Sequence, residues 1–186
     1  FRFLFLRGMN VCVFCGSATG KNPLYAESAG TLGTLIGQSG FSLVYGGGNI
    51  GLMGIVADAV MAAGGKVTGI IPDLLVKREV GHRGITELES VDSKPQRKQR
   101  MASLADAFVA LPGGWGTLEE LAEILTWRQL GLTHQPVILH NINQYFDPLL
   151  SQLRLMADEG FLSQVYLDFL HVAESPQHVI SLLSRK

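Results

Sequence analysis

The chain has 186 residues, 47% of them hydrophobic and 22 of them glycine, with 15 basic against 16 acidic side chains and a formal charge of −1. That length suits one domain with a full core, and the composition excludes a disordered, collagenous or strongly charged chain. The charge balance removes any global electrostatic case for nucleic-acid binding, and no apolar run reaches the roughly 20 residues that span a bilayer.

Residues 1–8 precede Met9 and an apolar strand pattern. They read as an added or upstream extension to a single domain over 9–186. As a signal peptide their apolar part is too short, and no small-residue cleavage site follows. The first strand, 10–15, carries Cys12 and Cys15. Three apart on a strand, they point to opposite faces. No second cysteine pair accompanies them, so they read as structural thiols of a reduced, cytoplasmic protein, and no metal is expected. Behind them Gly16-Ser17-Ala18-Thr19-Gly20-Lys21 resembles a phosphate loop. It is one residue short of the nucleoside-triphosphatase spacing, and Asn22 stands where Ser or Thr is needed. Ser17 is either a hydrogen-bond donor to a ligand or a polar turn residue.

A helix at 24–38 and a strand at 41–45 lead to Gly46-Gly47-Gly48-Asn49-Ile50-Gly51 and a helix at 50–63. Gly46, Gly48 and Gly51 meet the G-x-G-x-x-G spacing between strand and helix. Such a turn brings backbone N–H groups close to an anion. A phosphate or ribose, an NAD pyrophosphate and plain packing all remain open. Asp73, just past the strand at 66–71, is the candidate acidic partner of an NAD ribose, although Pro72 precedes it.

A weaker strand at 85–91 runs into a helix at 95–104. Lys94, Arg97, Lys98 and Met101 share one face there, and Ser93 with Gln96 forms a capping box. A guanidinium fork beside an ammonium suits a phosphate; a solvated face is the plain alternative. No aromatic side chain interleaves these charges, which argues against a nucleic-acid platform. The strand at 106–111 ends in Pro112-Gly113-Gly114-Trp115-Gly116-Thr117-Leu118-Glu119-Glu120, a second glycine turn opening a helix at 118–130. Glu119, Glu120 and Glu123 lie off that helix's apolar stripe. Thr117 and Glu120 fit a capping box, and Glu120 fits a ligand-facing carboxylate equally well. A strand at 136–140, a helix at 145–159, a weaker strand at 169–173 and a helix at 177–184 complete the chain. The alternation predicts an α/β, Rossmann-like, doubly wound and mainly parallel sheet with helices on both faces. Its ligand site belongs outside the carboxyl ends of the strands.

The two glycine turns, the Arg97-Lys98-x-x-Met101 run and the Thr117-x-x-Glu120 ending occur in a specific order. Together they resemble the Lonely Guy family of cytokinin-activating enzymes. Val11-Cys12-Val13-Phe14-Cys15-Gly16-Ser17 and Thr126-Trp127-Arg128-Gln129-Leu130-Gly131 fit as well, so the resemblance covers the chain from Met9 onward. It implies hydrolysis of the N-glycosidic bond of adenosine-type nucleoside 5′-monophosphates, without cofactor or metal, to a free base and ribose 5-phosphate. It further implies that Glu120 and Arg97 are the catalytic pair. Substrate contacts are implied at Ser17, Gly46, Gly47, Gly48, Glu79, Lys98, Gly113, Gly114, Trp115, Gly116, Thr117, Leu118, Glu119 and Thr126. The family is usually a homodimer or higher homo-oligomer; neither nucleic acid nor membrane is a partner. Its frequent lysine decarboxylase label has no support here, since no pyridoxal-phosphate site is recognisable. Lys94-Pro95 replaces the family's usual Met-His, a departure that bears on base preference and pose. Two other classes stay open: a non-enzymatic nucleotide-binding module, resembling molybdenum-cofactor carriers, and an NAD-dependent oxidoreductase.

Overall fold

The computed structural model describes residues 8–76 and 80–185. The extension proposed for residues 1–8 therefore lies outside the described residues except for Gly8, and Glu79 lies outside them too. The described residues form seven strands: β1 (Asn10–Phe14), β2 (Ser42–Tyr45), β3 (Val67–Pro72), β4 (Glu87–Val91), β5 (Ala107–Ala110), β6 (Val137–His140) and β7 (Leu170–Ala173). They pair in the order β4-β3-β2-β1-β5-β6-β7, with every neighbour parallel. All seven strands expected from the sequence are present, in the doubly wound arrangement expected.

The helices are α1 (Pro23–Gln38), α2 (Gly51–Ala62), α3 (Asp73–Val76), α4 (Lys94–Leu104), α5 (Trp115–Gln129), α6 (Asp147–Asp158), α7 (Gln164–Leu167) and α8 (Pro176–Leu183). Three begin with the same device. Asn22, Ser93 and Ser175 accept a hydrogen bond from the backbone of the first turn, and a proline follows where its missing N–H is harmless. The helix expected at 145–159 starts at Asp147 instead. A 3-10 turn (Ile142–Gln144) precedes it, and Asn141 Oδ1 accepts from the Phe146 N–H at 2.7 Å.

Alternate residues of each strand feed two cores. On one face Val11, Val13 and Cys15 meet Leu32 and Ile36 of α1, Leu52 and Val56 of α2, and Val179 of α8. On the other, Cys12 and Phe14 meet Met101 of α4 and Ala105 at its C-cap, with Leu121 and Ile124 of α5. Cys12 and Cys15 are thus buried free thiols on opposite faces, as the strand period requires. On the first face α1 and α2 approach closely. A Cβ on Gly33 would stand 2.6 Å from the Val56 carbonyl oxygen.

The strand order reverses between β1 and β5, because β1 connects outward to β2 while β5 starts the other half. That switch point opens a crevice beyond the two strand ends. The loops there are stitched together. Gly16 N donates to Pro112 O at 3.0 Å, and Leu52 N donates to Gly16 O at 3.0 Å.

Candidate active site

The α4 wall of the crevice starts from Ser93, whose hydroxyl accepts from Gln96 N, while Asp92 N donates to Gln96 Oε1 at 3.0 Å. Arg97 follows within the first turn and is only 8% exposed. Its Nη2 donates to Gly46 O at 2.8 Å. A Cβ on Gly46 would overlap that guanidinium, so the first glycine of the Gly46 turn makes room for the arginine. Met101, one turn further on the same face, is buried in the core and fixes the helix's rotation. Lys98 Nζ lies 3.1 Å from both Glu119 Oε1 and Glu123 Oε2 on α5. Burial opposes its charge, but the hydrogen bonds it donates to Glu119 and Glu123 outweigh that and hold its pKa above the ordinary lysine value.

The α5 wall corrects one sequence reading. The helix begins at Trp115 with Gly114 as N-cap, and no side chain caps it. Thr117 therefore sits inside the first turn, 5% exposed and packed against Gly113, rather than at the cap. The Thr117/Glu120 capping box does not form, because the backbone enters the helix three residues earlier than the motif implies. Glu120 is left half-buried in the crevice wall, facing the same space as Arg97. Both charges reach Cys15 at the crevice floor. Burial first, then the Glu120 charge, pushes the Cys15 thiol well above its ordinary pKa, and Arg97 opposes the rise.

Gly114 and Gly116 have no internal reason to be glycine. Neither adopts a left-handed backbone, and a Cβ on either would meet nothing within 4 Å. Both line the crevice at the start of α5. Unsatisfied N–H groups and the positive end of the helix dipole face that space, so an anion can approach the backbone without a side chain in the way. Trp115 between them is 85% exposed at the rim.

The crevice brings together Ser17, Gly46, Arg97, Lys98, Gly114, Trp115, Gly116, Thr117, Glu119 and Glu120. Other expected site residues lie elsewhere. Gly47 packs toward Ile71 and Leu88, and Gly48 bridges to Gly81. Gly113 lines an adjoining hollow with Tyr25 and Tyr145, whereas Leu118 and Thr126 line an apolar groove beside α6. Gly51, at φ +60°, presses against the Ser17 backbone. The first glycine turn thus mainly supports Arg97 and Ser17. Asp73, the candidate NAD ribose partner, accepts a hydrogen bond from Ser90. Among the described residues no group of three or more His, Cys, Asp or Glu side chains is arranged to hold a metal. Cys15 and Gly16 also line the crevice, as does Lys94, which the sequence placed in the basic cluster but not among the expected substrate contacts. The strand-end rule pointed to the first two, and the i, i+4 spacing to Lys98 pointed to the third.

A family model described as "Possible lysine decarboxylase" matches residues 53–183. A cytokinin riboside 5′-monophosphate phosphoribohydrolase of Arabidopsis thaliana is 49% identical over 157 residues, spanning 84% of this chain and 72% of that protein. A probable enzyme of the same name from Oryza sativa subsp. japonica is 44% identical over 177 residues, spanning 95% of this chain and 72% of that protein. The chain belongs to the Lonely Guy (LOG) family. Its fold is shared beyond that family. The molybdenum cofactor binding protein of Rippkaea orientalis superposes with a TM-score of 0.72 at 27% identity, covering 96% of each chain. The Moco carrier protein of Chlamydomonas reinhardtii matches with the same TM-score at 21% identity, covering 95% of this chain and 96% of that chain, a likeness of fold alone. Within the Lonely Guy chain the crevice at the β1/β5 switch point holds the Arg-Lys run and the second glycine turn on two neighbouring helices.

Proposed function

We propose that this chain is a phosphoribohydrolase that cleaves the N-glycosidic bond of adenosine-type nucleoside 5′-monophosphates, N6-modified ones included. Its products are the free base and ribose 5-phosphate. The observation that carries the reading is the convergence of Arg97, Glu120 and the unobstructed Gly114–Gly116 backbone in one crevice of a chain 49% identical to a named enzyme of this activity.

The chemistry follows from the geometry. The helix start at Gly114 to Thr117, with Ser17 opposite, receives the 5′-phosphate. As the bond from ribose C1′ to the base nitrogen lengthens, its electron pair leaves with the base and positive charge grows on the sugar. The Glu120 carboxylate stabilises that charge and takes a proton from the attacking water. The water oxygen bonds to C1′, and the proton taken by Glu120 passes on to the departing base nitrogen, which restores the carboxylate. Arg97, held on Gly46 O, orients the reacting groups from the other wall.

A homo-oligomer belongs to the same proposal. The support is an apolar groove in which Leu118, Leu125, Leu149 and Leu153 meet, beside an α6 that buries none of its residues completely. Light scattering of the purified protein is expected to give at least twice the mass of one chain. A single domain over 9–186 and a reducing, cytoplasmic setting complete the proposal, the latter supported by two buried free thiols. No described helix is long and apolar enough to cross a membrane.

Incubation with AMP and with N6-isopentenyl-AMP, followed by chromatography of the products, tests the activity. Free base and ribose 5-phosphate are expected. Nucleotide held tightly with no base released would instead favour a carrier, the reading for which the fold likeness to the Rippkaea orientalis protein speaks.

A further inference from the structure

The cations of the crevice are not equivalent. Arg97 is buried and donates to Gly46 O. Lys98 is held between Glu119 and Glu123. Lys94 is exposed, lines the same crevice, and pairs with no carboxylate among the described residues. It is also placed against its own helix. It is the first residue of α4, where the dipole is positive, and the first turn of α4 holds no acidic side chain. A cation there is locally unfavourable and has no internal compensation. Breaches of a local rule of this kind concentrate at sites that meet a ligand.

Its height in the crevice follows from helix register. Helices α4 and α5 pack on the same face of a parallel sheet and run in the same direction. Lys98 sits level with Glu119 and Glu123 of α5. Lys94 lies one turn nearer the helix starts, which brings it level with Trp115 and Gly116. That is where the open glycine backbone of α5 begins. We propose that Lys94 is a substrate-binding residue whose ammonium completes the 5′-phosphate site opposite the N-terminus of α5. The proposal rests on the nucleoside monophosphate reading above and adds a residue to it. The partial positive charge of a helix start, roughly half a unit, does not neutralise a phosphate dianion, and Lys98 is already paired with its carboxylates. Lys94 supplies the missing charge.

The test uses Lys94→Met and Lys94→Arg in the full chain, with AMP turnover and with calorimetric binding of AMP and of ribose 5-phosphate. Lys94→Met is expected to raise KM for AMP and to weaken ribose 5-phosphate binding by the same factor, about five- to tenfold for a partly screened charge. The kcat stays within about twofold, as for lost uniform binding. Lys94→Arg recovers most of the affinity. Ribose 5-phosphate binding that is unchanged while AMP binding weakens would place Lys94 on the base and overturn the proposal. Unchanged affinity for both would make it a solvated charge and overturn it as well. A wild type that binds both ligands but releases no base would contradict the hydrolase reading alone, since the binding measurements still decide the role of Lys94.

Discussion

Glu120 stands within the second turn of α5 and takes no part in starting that helix, whose N-cap is Gly114. The capping motif in the sequence is real as a spacing but lies three residues too late. A carboxylate that plays no part in capping can be changed without disturbing the helix start. Cys15, beneath it, shows the opposite case of a reactive group made inert. Burial, with the Glu120 charge added, keeps the thiol protonated, and a protonated thiol is a poor nucleophile. Iodoacetamide at about pH 8 is expected to leave Cys12 and Cys15 unmodified in the folded protein and to modify both after unfolding, read by intact-mass spectrometry. Rapid labelling of the native chain would contradict that burial. His140 gives a pH signature. It is fully buried, with Nδ1 3.2 Å from Ala173 O and Nε2 2.7 Å from Ser28 Oγ. A carbonyl only accepts, so Nδ1 carries the proton and Ser28 donates to Nε2. Burial lowers its pKa, with the Ala173 hydrogen bond opposing. The folded state therefore takes up this proton at lower pH than the unfolded state. The stability it contributes is complete above the unfolded value of about 6.5 and is lost as pH falls through that value toward the folded one. Denaturant midpoints are expected to drop between about pH 7.5 and about pH 5.5, and to drop less in His140→Gln.

At the scale of elements, the seven strands and the longer helices were legible and the four-residue helices were not. Apolar strands such as Ala107–Ala110 and the proline-marked helix starts carry their pattern in the sequence itself. The four-residue helices α3 and α7 are too short to show a period. The start of α5 was misplaced because a glycine N-cap has no side-chain signal. The close packing of α1 on α2 was invisible for a related reason, since a glycine in a helical pattern does not name its partner. Gly33 is the point of contact, with the Val56 carbonyl 2.6 Å from where a Cβ would stand and the Ala59 Cβ at 2.8 Å. Gly33→Val forces backbone apart rather than a side-chain tip. It is expected to destabilise the fold by about 1–3 kcal/mol or more, measured by urea unfolding, whereas Gly40→Val opens into empty space. Gly40 has a left-handed φ of +73°, so the matching control is Gly116→Ala, where both space and backbone permit a side chain. Gly116→Ala should keep the stability and weaken ligand binding.

For the whole molecule, the order β4-β3-β2-β1-β5-β6-β7 decides where the chemistry can be. Strand–helix alternation predicted the sheet, and the sheet pointed to the loops after Cys15, Tyr45, Ile71 and Leu111, whereas the part of Arg97 was implied only by the family resemblance. The sequence did not distinguish glycines that open onto the crevice from glycines that face the protein. Gly46, Gly47 and Gly51 are required by Arg97, by Ile71 and Leu88, and by the Ser17 backbone, all contacts distant in sequence. Gly114 and Gly116 are required by nothing among the described residues. That contrast, visible only with the fold assembled, separates two similar motifs into one that packs inside the chain and one whose backbone lies open to the crevice. The central claim is that Glu120 does the chemistry in the space those glycines leave open. The most direct measurement is base release from AMP by wild type and Glu120→Gln, with melting temperatures recorded on the same samples. Equal melting temperatures are expected, with a loss of turnover of about 100-fold or more in the variant. Turnover retained in a normally folded Glu120→Gln protein would contradict it.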